Sequence, residues 1–110
     1  MEIQKELDGD KLTVKLQGRL DAVTAIQFDK DMAKSLDGVK FLTIDFEKLD
    51  YIASAGLRIL LKLQKKIYTQ GDMKIININR DVREVLDMTG FSRLLTLEEP
   101  NAPKKLSFNF

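Results

Sequence analysis

The chain is best interpreted from one stretch outward, Leu49-Asp50-Tyr51-Ile52-Ala53-Ser54-Ala55-Gly56-Leu57-Arg58. It follows a strand-like run and opens a strongly helical one, so it predicts a strand-to-helix junction. At the junction, small side chains surround one hydroxyl, that of Ser54. A hydroxyl at the start of a helix either caps a free backbone N–H, which contributes about 1 kcal/mol, or is available as a switch. The role of Ser54 therefore decides the function.

The apolar pattern on either side of this junction predicts a strand and a helix. Residues 39–46 form a dense apolar run, which we interpret as a central strand covered on at least part of both sides. Residues 47–52 are expected to connect this strand to the junction. From Leu57 to Tyr68 a wide apolar stripe, with lysines in the later turns, predicts a helix that packs against a sheet and ends at Gly71.

The N-terminal residues predict a hairpin. Alternation of apolar and polar residues indicates a half-buried first strand, although a lysine interrupts its inner set, Ile3, Lys5 and Leu7. Asp8-Gly9 is typical of a two-residue turn. Residues 12–17 alternate more cleanly, and Gly18 is expected to end this second strand.

A first helix is predicted after the hairpin. Asp21 or Thr24 could cap it, since both side chains accept hydrogen bonds from backbone N–H groups. Its apolar stripe recurs at spacings of three and four residues, at Ala25, Phe28, Met32 and Leu36. Gly38 is expected to stop it.

The C-terminal part continues the alternation of strands and helices. We predict a strand at residues 73–78, a helix that begins at Asn79 or Asp81 and ends before Gly90, and a short strand at residues 94–97. Residues 1–99 are interpreted as a single α/β domain with a mixed sheet. Residues 100–110 are expected to be a loosely held tail, although Leu106, Phe108 and Phe110 alternate as in an edge strand.

The composition argues against several classes of function. The 110 residues include 18 Lys and Arg and 17 Asp and Glu, for a net charge of +1, which argues against general binding to nucleic acid phosphates. Cysteine and histidine are both absent from the sequence, which removes thiolate zinc sites and the commonest general base. No apolar run approaches the roughly 20 residues of a membrane span. We therefore expect a cytoplasmic protein that is not an enzyme.

Three carboxylates near the junction are the main candidates for catalysis or metal binding. Asp45, Glu47 and Asp50 could act as an acid–base pair or hold Mg²⁺. However, no second cluster completes a recognisable site, and ordinary charges of loops and strand ends are the favoured interpretation. The sequence also contains no glycine-rich phosphate loop. We expect no metal and no cofactor.

Phosphorylation of Ser54 would be compatible with a helix start. The phosphate would carry about −1.5 to −2 charges, and the free N–H groups and dipole of a helix N-terminus tolerate such an anion. Ala53, Ala55 and Gly56 leave little side-chain cover, so another protein could approach the backbone closely. We therefore expect the fold to survive phosphorylation while the surface changes sharply.

Four stretches together resemble the STAS domains, and most closely the bacterial anti-sigma factor antagonists. The stretches are Gly18-Arg19-Leu20-Asp21 followed by Thr24 and Ala25; residues 42–46; Tyr51-Ile52-Ala53-Ser54-Ala55-Gly56-Leu57; and Val82 with Leu86-Asp87-Met88-Thr89-Gly90-Phe91. The resemblance extends to about Glu99. It implies a STAS-like α/β fold, a mixed β-sheet with helices packed mainly on one side.

The resemblance also implies control by reversible phosphorylation. In this family an unphosphorylated antagonist binds an anti-sigma factor, a serine kinase of the histidine-kinase-like ATPase class, and so frees a sigma factor. The kinase then phosphorylates a serine that matches Ser54, which breaks the complex, and a serine phosphatase restores it. Asp21 matches an acidic residue that the family places near the phosphorylation site.

Two residues depart from the commonest family motif. Ala53 stands where an aspartate usually precedes the phosphoacceptor, which affects kinase recognition or the environment of Ser54. Ala55 stands where a Ser or Thr usually follows, so Ser54 is the only candidate phosphoacceptor in the motif. The predicted partner-binding surface comprises Asp21, Thr24, Ala53, Ala55, Gly56, Leu57 and Arg58.

Some alternatives remain open at this stage. Arg58 is explained equally well as a solvated helix residue. The missing aspartate at Ala53 also fits a STAS subunit of a transport or signalling assembly that is not phosphorylated. A small enzyme or nucleotide-binding domain is the third candidate.

Overall fold

The computed structural model describes residues 1–98, which form a four-stranded sheet and three α-helices. The elements are β1 (Glu2–Asp8), β2 (Lys11–Leu20), α1 (Ala22–Ala33), β3 (Phe41–Ile52), α2 (Ser54–Ile67), β4 (Asp72–Ile76), α3 (Arg80–Thr89) and a 3₁₀ turn (Phe91–Arg93). The strand order is β1-β2-β3-β4. β1 is antiparallel to β2, and the other two pairs are parallel. The predicted α/β architecture with a mixed sheet is confirmed.

The helices cover mainly one face of this sheet, as predicted. Leu12 of β2 pairs with Leu42 of β3, and Val14 pairs with Ile44. All four side chains are buried and form an apolar layer on one face of the sheet. The buried residues of all three helices join this layer in one core. Each fully buried Leu, Ile or Phe side chain contributes about 1.5–3 kcal/mol. On the opposite face Asp45 is buried and bonds to Asn77, which gives β3 partial cover on both sides.

Both central strands run further than the sequence pattern indicated. β2 continues through Gly18 to Leu20, and Gly18 marks a shift in register, with φ of 107°, and not the end of the strand. β3 includes residues 47–52, which were predicted to be a connection. Shifts of register interrupt the alternation of buried and exposed residues in this part of the sheet. The buried residues Leu49 and Ile52 therefore do not continue the two-residue spacing that starts at Leu42.

The N-terminal hairpin differs from the prediction in two details. Asp8 pairs with Lys11, so the loop residues are Gly9 and Asp10, and Gly9 has the positive φ of 64° that this turn requires. β1 is an edge strand, and its Leu7 is exposed instead of half-buried. The lysine of its inner set, Lys5, forms an ion pair with Asp31 of α1, which explains an otherwise misplaced charge.

The first two helices end before the glycines that were expected to stop them. α1 ends at Ala33, and the buried residue Leu36 lies in the turn that follows. α2 ends at Ile67, so Tyr68 is half exposed and lies outside the buried stripe. Gly71 instead packs against the backbone of Lys40. No helix among residues 1–98 is long and apolar enough to cross a bilayer.

The last helix forms as predicted, but the last strand does not. Asn79 caps α3 by accepting from the Val82 N–H, and Gly90 ends the helix in the left-handed conformation, with φ of 82°. Residues 94–97 do not form a strand, and Leu97 makes an isolated bridge to Ile75. The tail predicted at residues 100–110, including the alternation at Leu106, Phe108 and Phe110, lies outside the described residues.

Candidate functional site

Two helix N-termini lie side by side at the edge of the sheet where β2 and β3 end. Leu20 pairs with Ile52, and the Ala53 N–H donates to the Leu20 carbonyl at 2.9 Å. The next residue after Leu20, Asp21, caps α1, and Ala53 occupies the cap position of α2. Because neighbouring strands are about 4.8 Å apart, the structure brings Asp21 and Ser54 to the same edge, as the sequence motifs predicted.

Asp21 is the N-cap of α1 and forms a capping box with Thr24. Its carboxylate accepts from the backbone N–H groups of Val23 and Thr24, both at 3.0 Å. In return, the Asp21 N–H donates to the Thr24 hydroxyl at 2.8 Å. That hydroxyl donates to the Arg19 carbonyl at 2.7 Å, so Thr24 also anchors the end of β2. Both residues thus define the backbone geometry of the site.

The pKa of the Asp21 carboxyl is lowered, mainly because the Thr24 backbone N–H binds the ionised form. A lowered pKa in the folded state means that Asp21 stabilises the protein above its unfolded pKa, and that this contribution is lost as pH falls through the folded pKa. We expect Asp21→Ala to lower the Tm by roughly 4–8 °C at pH 7. The difference from wild type should shrink toward the acid end of a thermal-unfolding series, because protonation removes the part of the stabilisation that depends on the charge.

Asp21→Asn is the matched control for this series. Asparagine keeps the cap but cannot ionise, so its Tm at pH 7 should lie closer to wild type than that of Asp21→Ala. A Tm difference between Asp21→Ala and wild type that stays constant down to the acid end would contradict the assignment.

Ser54 is the first residue of α2 and does not cap it. Ala53 holds the cap position in an extended conformation, with φ of −105° and ψ of 168°, and offers no side-chain hydrogen bond. The capping role considered for Ser54 is therefore wrong. Its side chain is exposed, and within residues 1–98 its hydroxyl has no hydrogen-bond partner. The hydroxyl is free to react or to meet another molecule.

The start of α2 also has unused backbone donors. The Gly56 and Leu57 N–H groups both donate to the Ala53 carbonyl, at 3.0 and 3.2 Å. The N–H groups of Ser54 and Ala55 precede these bonds and have no acceptor within the helix. Since Ala53 has no side-chain oxygen, these two donors remain available beside the Ser54 hydroxyl.

Two members of the predicted partner-binding surface are inside the protein. Leu57 is fully buried, and Gly56 is buried against Leu20. A Cβ on residue 56 would lie 2.6 Å from the Leu20 Cγ, which is closer than real Cβ atoms come to other atoms. The glycine therefore serves close packing between α2 and β2 and does not offer backbone to a partner. Gly56 and Leu57 therefore hold the start of α2 against the core and are not part of the exposed surface.

Exposed apolar residues on α1 belong to the same surface and were missed by the sequence reasoning. Val23 is 76% exposed and Ile26 59% exposed. They lie three residues apart and off the buried stripe, and this spacing was the signal that could have revealed them. An open groove runs between α1 and α2, lined by Ile26, Ala55 and Arg58 among others. Five members of the predicted surface remain after Gly56 and Leu57: four are half-buried and one is exposed, in the order Asp21, Thr24, Ala53, Ala55 and Arg58.

Arg19 was also missed as a member of the site. It pairs across the strands with Tyr51, and its guanidinium lies over the Tyr51 ring, 4.1 Å from the centroid. This cation–π contact fixes a positive charge beside the ends of β2 and β3. Gly18-Arg19-Leu20-Asp21 was recognised as a motif, but the pairing with Tyr51 depends on a register shift that the sequence pattern did not reveal.

The acidic cluster considered for catalysis is spread along β3. Asp45 is buried and accepts from the Glu47 N–H at 2.9 Å and from the Asn77 side-chain amide at 3.0 Å. Glu47 and Asp50 are exposed. In the part of the chain that the structure describes, no group of three or more acidic side chains is arranged to hold a metal ion. The bonds of Asp45 indicate a structural role.

Comparison with known proteins identifies the family. A family model described as the STAS domain matches residues 2–101. The chain is 35% identical over 88 residues to BtrV of Bordetella bronchiseptica, which is named provisionally as an anti-sigma factor antagonist; the match covers 78% of this chain and 75% of BtrV.

Solved structures agree with this match in fold. An anti-sigma factor antagonist from Mycobacterium paratuberculosis has a TM-score of 0.80 and 21% identity, covering 96% of this chain and 91% of that one. The Bacillus cell fate determinant SpoIIAA, solved in its phosphorylated form, has a TM-score of 0.68 and 18% identity, covering 90% and 93%. The chain belongs to the STAS domain family.

Proposed function

We propose that this protein is a cytoplasmic anti-sigma factor antagonist that phosphorylation of Ser54 switches off. In its unphosphorylated form it binds an anti-sigma factor with a histidine-kinase-like ATPase fold and releases a sigma factor. That partner phosphorylates Ser54, and a serine phosphatase reverses the modification. The observation that carries the proposal is the free Ser54 hydroxyl at the edge of an exposed apolar surface. The names of BtrV and of the Mycobacterium protein support it.

The environment of Ser54 favours phosphoryl transfer to its side chain. A hydroxyl that caps a helix is held by the backbone, whereas the Ser54 hydroxyl has no such bond within residues 1–98. The product would be accommodated as well, because the unbonded N–H groups of Ser54 and Ala55 can donate to phosphate oxygens. The phosphorylated form of SpoIIAA supports a covalent modification in proteins of this fold.

The surface around Ser54 is suited to a protein partner. Val23 and Ile26 are large apolar side chains that α1 leaves in solvent. Apolar anchors surrounded by polar groups carry most of the binding free energy in protein interfaces. Asp21, Thr24 and Arg58 supply that polar rim, and Ala53 and Ala55 allow close approach. We propose that the partner covers α1 and the start of α2 together.

Phosphorylation would separate the two proteins by electrostatics. The added charge of about −1.5 to −2 would have to be desolvated where the partner covers Ser54. A 100-fold loss of affinity corresponds to about 2.7 kcal/mol, which is a modest effect for a charge of this size that the interface has to desolvate. No change of fold is required, so the switch can act on a rigid surface.

We expect Ser54→Asp to bind the partner at least 100-fold more weakly than wild type. The measurement is calorimetric titration with the cognate anti-sigma kinase. Ser54→Asn is the matched control, because it has nearly the same size as Ser54→Asp but no charge, and its affinity should stay within about tenfold of wild type. Incubation with the kinase and ATP should place phosphate on Ser54 in wild type and on no residue in Ser54→Asn, as read by mass spectrometry.

Two results would contradict the switch. One is equal partner affinity for wild type and Ser54→Asp, and the other is the absence of phosphate on Ser54 after incubation with an active kinase. Both would favour the second candidate, a STAS subunit of a transport or signalling assembly that is not phosphorylated. The alanine at residue 53, in place of the aspartate usual in the family motif, is the observation that favours this candidate.

A further inference from the structure

We propose that Arg19 holds the phosphate of phosphorylated Ser54 against the protein, with Tyr51 orienting the arginine. The inference rests on the proposed function for the natural origin of the phosphate. The residues that carry it are already in place in the unphosphorylated structure. Arg19 is therefore the phosphate-binding residue of the modified state, and Tyr51 is its positioning residue.

Tyr51 fixes the guanidinium of Arg19 without using its hydrogen-bond donors. The centroid of the ring is 4.1 Å from the guanidinium carbon, which is a stacking distance. Stacking occupies one flat face of the guanidinium, and the N–H groups at its edge stay free to bind two oxygens of one anion. The ring thus restricts the Arg19 side chain in advance, so less conformational entropy is lost when the side chain binds a phosphate.

Arg19 has no carboxylate partner among residues 1–98. The ion pairs in this part of the chain join Lys5 to Asp31, Lys15 to Glu6, Lys62 to Asp29, Lys74 to Glu98 and Arg83 to Asp87. The nearest acid in sequence, Asp21, directs its carboxylate to the N–H groups of Val23 and Thr24. The pKa of the Asp21 carboxyl is lowered mainly by the backbone N–H of Thr24, and the charge of Arg19 also lowers it, although less. Because Arg19 forms no ion pair among residues 1–98, its N–H groups remain available to an anion that modification would introduce.

The backbone places Arg19 and Ser54 within reach of each other. Arg19 pairs with Tyr51, and Ser54 follows Tyr51 by three residues, which span at most about 10 Å. The Arg19 carbonyl accepts from the Thr24 hydroxyl at 2.7 Å, and the Ala53 N–H donates to the Leu20 carbonyl at 2.9 Å. These two bonds hold the ends of β2 and β3 together, so the backbone positions of Arg19 and Ser54 are fixed relative to each other before modification.

Arg58 offers the natural comparison. Arg58 lies one turn after Ser54 on α2 and, like Arg19, is exposed. The two arginines differ in position, because Arg58 lines the groove between α1 and α2, whereas Arg19 lies over Tyr51 at the strand ends. Substitution of either arginine by glutamine removes one positive charge from the same protein. We call the binding of the phosphate by Arg19 the clamp. If the clamp is specific to Arg19, the two variants should give different results.

The test uses the full chain with phosphoserine installed at residue 54 by genetic encoding, so that no kinase is needed. Phosphorus NMR then follows the release of the second phosphate proton as pH rises. We expect the phosphate of the wild-type chain to bind this proton roughly three- to tenfold more weakly than that of Arg19→Gln, because the guanidinium favours the dianion. Tyr51→Phe should behave as wild type, and Tyr51→Leu should move toward Arg19→Gln.

The outcomes separate the clamp from the proposed function. The clamp would be overturned if the phosphate had the same proton affinity in wild type and in Arg19→Gln. It would also be overturned if Arg58→Gln changed this proton affinity as much as Arg19→Gln does. Proton NMR spectra of each variant establish that it is folded. Because the phosphoserine is encoded, a failure of the kinase to modify Ser54 would contradict the proposed function and leave this result unchanged.

Discussion

Gly71→Ala is expected to lower the free energy of unfolding by about 3 kcal/mol or more. A Cβ on residue 71 would lie 1.7 Å from the Lys40 carbonyl oxygen and 2.5 Å from its carbon. The obstructing atoms belong to the backbone, so no rotation of a side chain relieves the clash. The same carbonyl accepts from the Asp72 N–H at 2.8 Å, and separating the two segments would break this bond.

Urea unfolding of Gly71→Ala measures this loss. Gly38→Ala is the matched control, since Gly38 has φ of 78° and a Cβ there would meet no atom within 4 Å. That variant tests the backbone conformation alone and should cost about 1 kcal/mol. If the two variants lost equal stability, steric contact with Lys40 would not be the reason for the glycine at residue 71.

Gln64→Ala is expected to cost about 3 kcal/mol, because one side chain satisfies two backbone groups. The Gln64 amide donates to the Leu94 carbonyl at 2.6 Å, and its oxygen accepts from the Thr96 N–H at 2.7 Å. Each lost hydrogen bond costs about 0.5–1.5 kcal/mol, and the buried Gln64 side chain also loses its packing contacts. Urea unfolding followed by far-UV circular dichroism measures the loss.

Gln64→Glu tests the same contact with a side chain of nearly the same size. An ionised carboxylate cannot donate to the Leu94 carbonyl, whereas a protonated one can. The variant should therefore approach wild-type stability at acid pH and lose stability as pH rises toward neutral. If the stability difference between Gln64→Glu and wild type were the same at acid and at neutral pH, this would argue against the bond that the Gln64 amide donates to the Leu94 carbonyl.

The helix boundaries show where local chemistry was sufficient for prediction. Asp21 and Asn79 cap α1 and α3, and Gly90 ends α3, because each acts through its own backbone neighbours. Ser54 was harder to assign. Its two possible roles differ by one residue in the position of the helix start, and this difference lies within the uncertainty of any sequence pattern. The extended conformation of Ala53 decided between them.

Other features depend on contacts between distant residues. Gly56 was interpreted as an opening for a partner, but the reason for it is Leu20, which is 36 residues away in the sequence. The apolar pattern predicted a last strand near Leu97, whereas Gln64 holds that segment to α2 through hydrogen bonds. Arg19 joined the site because a shift of register placed it beside Tyr51. A periodic pattern contains no information about such pairings.

The alanine at the cap of α2 couples folding to modification. Replacement of a capping side chain by alanine typically costs a helix about 1 kcal/mol, and here the Ala55 N–H, which a side chain at residue 53 could bind, has no acceptor within the helix. A phosphate on Ser54 would supply the missing acceptor. By thermodynamic linkage, binding that favours the native chain raises its stability, so the switched-off form would be the more stable one. The active antagonist would then be the unphosphorylated form, in which the N-terminus of α2 has no capping acceptor.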